Sequence, residues 1–413
     1  MLTNLEKRVL DAVKEEEVVP FLQGMVRIPS MSSNEQRIAE YIANNMREWG
    51  FQEIFMHGIE GHPGRANLVA WLRGKERKPT LMTTAHMDTT TIDTTDRGKW
   101  VVDPFSAEVR DRCVYGIGSV DDKGGCAVMV MAAKAILDAG VQLAGDLLIG
   151  LVADEEGRMI GIKQFIKSNL HKSVDACLSG DPFGMPMIME SWPGRTFGLV
   201  TFEGRNAHAG ASPWSGIGLN AIHKAGKFLA ALDSSAPEHS VHPVYGKSFW
   251  QALRVEGGWP GTLSAQKPDW CKILLDIRLV PGHNPEEAWA DLRKLIEALQ
   301  AQDPAIKATI EVWDRRPGYS LPRDNALVKA TASAYEELVG RPIQYGGWPV
   351  SKVAAIGTTD THYLAYEGIP CVNAAGPTRE GGVAHAANEC IPIDILVENV
   401  KAVALTILRY FTL

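Results

Sequence analysis

The sequence predicts an α/β protein: a mostly parallel, helix-covered sheet interrupted by a smaller inserted α+β domain. Three observations predict it. Apolar, strand-like runs alternate with helical periodicity through the first half of the chain. The alternation breaks near Pro193 and resumes after Arg315-Arg316-Pro317-Gly318. Several of the apolar runs end on an acid or a histidine, where open α/β sheets hold their ligands.

Residues 1–60 show helical periodicity broken by Pro29-Ser30-Met31-Ser32-Ser33-Asn34-Glu35, a turn expected to cap a helix through Ile38, Ile42 and Met46. Strands follow at Ala66–Leu72 and Thr80–Ala85, then a helix at Gly125–Ala139 and a strand at Asp146–Ala153. A helix near Ile160–Ser168 and a strand at Ala176–Ser179 close this first stretch. Beyond Pro193, Thr196–Glu203 reads as an exposed strand, followed by Gly-rich loops and a helix at Leu219–Leu232. A strand at Cys271–Leu279, a helix at Glu286–Ala301 and a strand at Ala308–Trp313 complete the insert. A helix over Asn325–Leu338, a strand before Asn373 and a final helix, Pro392–Tyr410, return to the first pattern. At 413 residues the chain is too long for one core. The expected domains are 1–192 with 315–413, and 193–314 between them.

Composition narrows the function classes. With 45% hydrophobic and 22% charged residues, the chain has ordinary globular composition. A net charge of −7 argues against nucleic acid or an anionic membrane as partner. No stretch of about 18 consecutive apolar residues is present, so no transmembrane helix is expected. The N-terminus has mixed charge and reads as an amphipathic helix, not a signal peptide. Six scattered cysteines without CxxC spacing read as reduced thiols, and the cytoplasm is the expected compartment.

The chemistry concentrates in His86-x-Asp88, Asp121, Glu155-Glu156, Asp181 and the distant His385. Two imidazoles and several carboxylates gathered at strand ends describe a site for two divalent metals, and hence a metal-dependent hydrolase. His86 and Asp88 point to one side of an extended segment, His86 suited to bind metal and Asp88 to orient it. Asp121 stands in Gly116-Ile117-Gly118-Ser119-Val120-Asp121-Asp122-Lys123-Gly124-Gly125, whose glycines permit close backbone approach; alone it would read as an N-cap in a glycine loop. Lys123 is not followed by Ser or Thr, so a Walker-type phosphate cradle fits poorly. After the buried run ending at Ala153, the neighbours Glu155 and Glu156 must point different ways. One can bind metal while the other acts on water. Asp181 precedes Pro182, and His385 sits in a small-residue loop; singly, each would read as structural.

Taken in order, these motifs resemble the dinuclear-metal hydrolase family of aminoacylase, acetylornithine deacetylase, succinyl-diaminopimelate desuccinylase and glutamate carboxypeptidase. The resemblance runs from about His86 to Glu389. It implies that His86 and Asp181 hold one metal, Glu156 and His385 the other, and Asp121 bridges them. It implies Glu155 as general base and Asp88 as the acid orienting His86. The implied cofactor is two divalent ions per subunit: zinc first, with manganese or cobalt as alternatives. The insert resembles the family's lid and dimerisation domain, implying a homodimer in which His208, in Gly204-Arg205-Asn206-Ala207-His208-Ala209-Gly210, stabilises an oxyanion in a neighbouring subunit. Arg278, in Asp276-Ile277-Arg278, resembles the arginine that binds the substrate carboxylate. Thr359 and Asp360, in Gly357-Thr358-Thr359-Asp360, and Gly376, in Gly376-Pro377, resemble substrate-binding loops.

One position departs from the pattern. Ala265 stands where the family usually has an asparagine that helps bind substrate. Six tryptophans (Trp192, Trp214, Trp250, Trp259, Trp270 and Trp348) fall in segments expected near the lid or cleft. They read as lid core and dimer interface, or as a pocket for a flat aromatic group. The expected reaction is hydrolysis of a C–N bond in a small carboxylate-bearing substrate, an N-acyl amino acid or short peptide. The alternatives are hydrolytic deamination of an aromatic amine and a non-catalytic metal-binding homologue.

Overall fold

The computed structural model describes residues 2–92, 97–181, 187–243, 245–259, 265–345, 358–374 and 384–412. The first stretch holds helices α1 (Asn4–Ala12), α2 (Glu15–Val26) and α3 (Gln36–Glu48), then strands β1 (Glu53–Gly58), β2 (Ala66–Leu72) and β3 (Thr80–His86). Helix α4 (Lys123–Asp138), β4 (Asp146–Val152), α5 (Ile160–Lys167) and β5 (Ala176–Ser179) follow. Next come β6 (Gly194–Glu203), α6 (Ala221–Asp233), β7 (Phe249–Gly257), β8 (Trp270–Leu279), α7 (Pro285–Gln302) and β9 (Lys307–Arg316). The chain ends with α8 (Ala326–Val339), α9 (Thr361–Tyr366), β10 (Cys371–Asn373) and α10 (Ile393–Tyr410). These elements form two compact units: Met1–Glu190 with Leu321–Gly346 and Thr359–Leu413, and Ser191–Ser320 with Gly347–Thr358.

The first unit is built on a six-stranded sheet in the order β1-β2-β4-β3-β5-β10. β3, β4, β5 and β10 are mutually parallel, with Thr80 opposite Asp146, Leu81 opposite Ala176 and Cys371 opposite Cys177. β1 and β2 extend it antiparallel. β3 and β4 are buried along their whole length, as strands covered on both faces must be. Helix α4 is buried at all but its last two residues, with Val128, Met129, Val130 and Ile136 in the unit's core. Parallel register brings the carboxyl ends of β3, β4 and β5 to one edge, so the segments after Ala85, Val152 and Ser179 meet there.

The second unit is a four-stranded antiparallel sheet, β7-β8-β6-β9. Buried Val200, Phe202, Ile273, Leu275 and Ile277 share a core with Phe228 of α6 and Trp289 and Leu292 of α7, so both helices cover one face. The Trp289 indole N–H donates to Thr196 Oγ1 at 2.8 Å. Gly198 is required beneath it, because a Cβ there would lie 2.5 Å from the ring. Helix α7 starts as its sequence dictates: Asn284 caps Glu286 N–H, Pro285 occupies the first turn, and Glu286 and Glu287 meet the positive end of the dipole.

Four local expectations are corrected. β6 is an interior strand with alternate residues buried, not an exposed strand, because β8 and β9 flank it. Residues 53–58 form edge strand β1, where only helix and loop were expected. β7 gave no strand signal, since nearly every residue in it is exposed. Helix α3 has no side-chain cap; the Glu35 carboxylate instead pairs with Arg65.

Candidate metal centre

At the shared strand edge of the first unit, His86, Asp121, Glu155, Glu156, Asp181 and His385 converge. Asp121 is the centre: its Oδ1 lies 3.0 Å from His86 Nε2 and its Oδ2 2.9 Å from His385 Nε2. His385 Nε2 is also 2.7 Å from Glu156 Oε1. Potential ligand atoms fall into two groups, each within 4.8 Å: His86, Asp121 and Asp181, and Asp121, Glu156 and His385. Two imidazole nitrogens with three carboxylates suit zinc, manganese or cobalt. One carboxylate facing both histidines with separate oxygens fits a pair of cations. It does not fit the glycine-loop cap, for the N-cap of α4 is Asp122, and its side chain makes no cap bond.

Charge sets the protonation of the cluster. Burial raises the Asp121 carboxyl, but His385 and His86 outweigh it and hold it below the ordinary carboxylate range. Burial works against a proton on His86, yet Asp121 and Asp88 lift it well above its ordinary value. Asp121 and Glu156 carry His385 up to about 10. Burial, then Asp181, pushes Glu155 well up, with His86 partly opposing. Asp181 rises to about 7, through burial first, against His86 and with Asp121 and Glu156.

Around the potential ligands stands a set of carboxylates spent on backbone. Asp88 is fully buried and accepts N–H groups from Glu155 (3.0 Å) and Glu156 (3.2 Å) and the Ser32 hydroxyl (2.8 Å). It thereby fixes the glutamate pair relative to β3. Its carboxylate is 3.5 Å from His86 Nδ1, while its own carbonyl oxygen lies nearer, at 3.0 Å. A proton on Nδ1 donated to that carbonyl leaves the Nε2 lone pair free for a cation. Asp154, in the left-handed region at φ 68°, accepts from Arg158 N–H and pairs with Arg65 at 2.7 Å, shaping the turn that presents Glu155 and Glu156.

Two further carboxylates were not singled out from sequence. Asp122 is fully buried and accepts the His86 N–H at 3.0 Å. Its seat exists because residue 125 is glycine: a Cβ there would lie 2.0 Å from Asp122 Oδ1. Glu389 is 2% exposed and takes three backbone N–H groups from the Asp121 loop: Gly118 at 3.0 Å, Val120 at 2.8 Å and Asp121 at 2.9 Å. Burial raises its carboxyl to about 7 against the pull of those donors. The spacing His385-x-x-x-Glu389 was the available signal, because one loop carries both a potential ligand and the brace of another.

Thr359 and Asp360 are buried in this same unit. The Thr359 side chain lowers the Asp181 carboxyl, and the Asp360 charge raises Glu155. A small cleft of about 30 Å³ opens beside His385, lined by Thr90, Ile92, Trp100 and Ile117. Gly376 and Trp348 lie outside the described residues. In the second unit, His208 is exposed on a two-stranded ribbon, with Nδ1 accepting Gly210 N–H at 3.1 Å. Ala265 accepts Ala209 N–H through its carbonyl at 2.7 Å, next to that ribbon. Arg278 is paired with Asp276. Of the tryptophans, Trp250 lies in the unit's core, Trp192 is buried, and Trp214 is 92% exposed.

A parallel α/β sheet presenting two histidines and clustered carboxylates at its carboxyl edge is the arrangement of a metal-dependent hydrolase. The chain belongs to peptidase family M20/M25/M40, whose model matches residues 82–409. It is 26% identical to a succinyl-diaminopimelate desuccinylase of Dechloromonas aromatica, over 90% of this chain and 93% of that protein. It is 25% identical to an acetylornithine deacetylase of Pectobacterium carotovorum, over 78% and 82%. Its fold matches the aminopeptidase PepT of Bacillus cereus with a TM-score of 0.77, at 22% identity over 97% of this chain and all of that one.

Proposed function

We propose that the chain hydrolyses the amide bond of a small carboxylate-bearing substrate, an N-acyl amino acid or short peptide, with two divalent ions held by His86, Asp121, Glu156, Asp181 and His385. The observation that carries this reading is the position of Asp121, one carboxylate facing both histidines within two adjoining ligand groups. Zinc is the proposed metal, with manganese and cobalt accommodated by the same donors. When bound, the ions supply Lewis acidity to a water and to the scissile carbonyl. Glu155, next in sequence to the ligand Glu156 and pushed toward protonation by burial and Asp181, takes the proton of the attacking water and returns it to the leaving nitrogen. Asp88 keeps Glu155 in place through its backbone N–H.

The second unit serves as the lid and dimerisation domain in this reading, and His208 as the oxyanion donor to a neighbouring subunit. Supporting a homodimer, β7 is an edge strand with Leu253 and Val255 about half exposed. No helix among the described residues is long and apolar enough to cross a membrane. The cytoplasm is proposed on the six free thiols. Deamination of an aromatic amine, the second reading, rests on Ala265 in place of the family's usual asparagine and on the tryptophans, of which Trp250 packs in the second unit's core. The test is turnover of acyl-amino acids and dipeptides by metal-loaded protein. Hydrolysis that survives both chelation and Glu155→Gln would overturn the reading.

A further inference from the structure

Histidines gather where the connection from α6 to β7 passes the loop between β8 and α7, all within the second unit. His239 and His242 lie on the connection, and His283 lies on the loop. The His239 and His283 rings are stacked, with centroids 4.4 Å apart and planes 16° from parallel. His283 is 1% exposed, and Ser248, the residue before β7, is 2% exposed. The Ser248 hydroxyl accepts Val280 N–H at 3.0 Å and stands 2.8 Å from His283 Nδ1. Its oxygen is already an acceptor, so its own proton goes to Nδ1, and the proton of neutral His283 sits on Nε2. Among the described residues that Nε2 has no hydrogen-bond partner.

A second proton on His283 meets opposition on every side. It places a cation at a buried site. It sets a new N–H against the Ser248 hydroxyl, whose own proton must then turn away from the ring in surroundings closed to water. It also faces His239 across the stack, where a second imidazolium repels it. Burial first, then His239, hold His283 below the ordinary imidazole value of 6.5, with Glu287 and Asp291 of α7 opposing. Asp291 is itself engaged by Lys294 Nζ and by Glu238 N–H, each at 2.8 Å. Burial, then His239, lower His242 as well, and Tyr245 N–H donates to His242 Nδ1 at 3.3 Å. The His239 ring is steered by its Nδ1, 3.1 Å from the Ser240 carbonyl oxygen.

We propose that the stacked His239–His283 pair, with Ser248, is an acid-operated latch. With both rings neutral it fixes residues 236–248, and protons taken up by the pair open it and free the start of edge strand β7. The latch uses residues of the second unit alone and rests on no substrate assignment. An open segment takes up protons at the ordinary 6.5, and the closed one only below it. Closure is therefore complete above about pH 6.5 and is lost as the pH falls. Each imidazole makes opening about tenfold more favourable between about pH 7.5 and about pH 5.5.

Amide hydrogen exchange of the full-length, metal-loaded protein, corrected for the intrinsic effect of pH on exchange, tests it at those two pH values. Peptides covering residues 236–250 lose protection by about 10–100-fold in acid, for one or two imidazoles, while β6, β8 and α7 keep theirs. His239→Phe leaves a flat ring in the stack that takes no proton, and it restores most of the protection in acid. Unchanged protection of the segment in acid, an equal loss across the whole second unit, or a full acid response in His239→Phe would each overturn the latch. Should His239→Phe fail to fold, the imidazole titration of the parent protein decides. A His283 midpoint below 6.5 supports the latch, and one at or above 6.5 overturns it.

Discussion

Replacing Glu389 by glutamine tests whether the brace on the Asp121 loop governs metal binding. Oε1 accepts Val120 and Asp121 N–H, and Oε2 accepts Gly118 N–H, all within 3.0 Å. An amide can keep its oxygen on the two-donor side, but its NH₂ then faces the Gly118 N–H. The loss is one charge-assisted hydrogen bond, and a buried donor is left without an acceptor at a site only 2% exposed. Such a loss costs about 2–4 kcal/mol. The loop relieves it by moving Asp121, the residue shared by both ligand groups. Glu389→Gln therefore weakens binding of the metal pair by about 10–100-fold, the range for groups that support ligands from behind. Competition with a chromophoric chelator measures the affinity, and thermal melts of the chelated protein measure the fold separately. A variant that melts early but binds metal as tightly as the parent would confine Glu389 to stability. Parental affinity and parental melting together would refute the reasoning.

Three further outcomes are expected. Glu155→Gln lowers kcat by about 10²–10⁴-fold while metal content, measured by elemental analysis, stays at the parental level; loss of metal would reassign Glu155 as a ligand. Gly125→Ala drives a methyl to within 2.0 Å of Asp122 Oδ1 and 2.6 Å of Gly180 O, so it weakens metal binding through the His86 backbone; parental affinity would remove Asp122 from the site's support. Asp303 is lowered to about 2 by Lys224 and Lys227 from an ordinary 3.8. A depressed carboxyl contributes stability that is full above its unfolded value and lost as pH falls through the folded one. Asp303→Asn therefore flattens the loss of stability between about pH 4 and 2, followed by acid-dependent melts.

The fold was legible where a segment's burial is decided by its own pattern. β2 and β5 fall at the expected residues, and β3 and β4 within one residue of them, because strands covered on both faces must be apolar throughout. Helices α6, α7, α8 and α10 lie within two residues of expectation, since caps and periodicity are local signals. β7 was not legible: its side chains face outward, so no alternation marks it. β6 was read as exposed because alternation shows that one face is wet, and says nothing of whether a strand is flanked on one side or two.

The site shows the same boundary at finer grain. His86, Asp121, Glu156, Asp181 and His385 could be named because metal chemistry restricts residue type and strand ends restrict place. The supporting acids face no such restriction. Asp88, Asp122, Asp154 and Glu389 are also carboxylates at the same edge, yet each takes main-chain N–H groups. Sequence offers no distinction between an acid that faces a cation and one that faces a peptide N–H, since both need the same side chain and both look buried. In the adjacent pair Asp121-Asp122, the second oxygen of Asp122 reaches back to β3 while Asp121 points to both histidines. That division explains why backbone-bracing carboxylates belong at a metal site at all. Burial first, and then the neighbouring carboxylates, push Asp181 and Glu155 up, so ionising this cluster is costly and a frame held from outside it helps to keep it assembled.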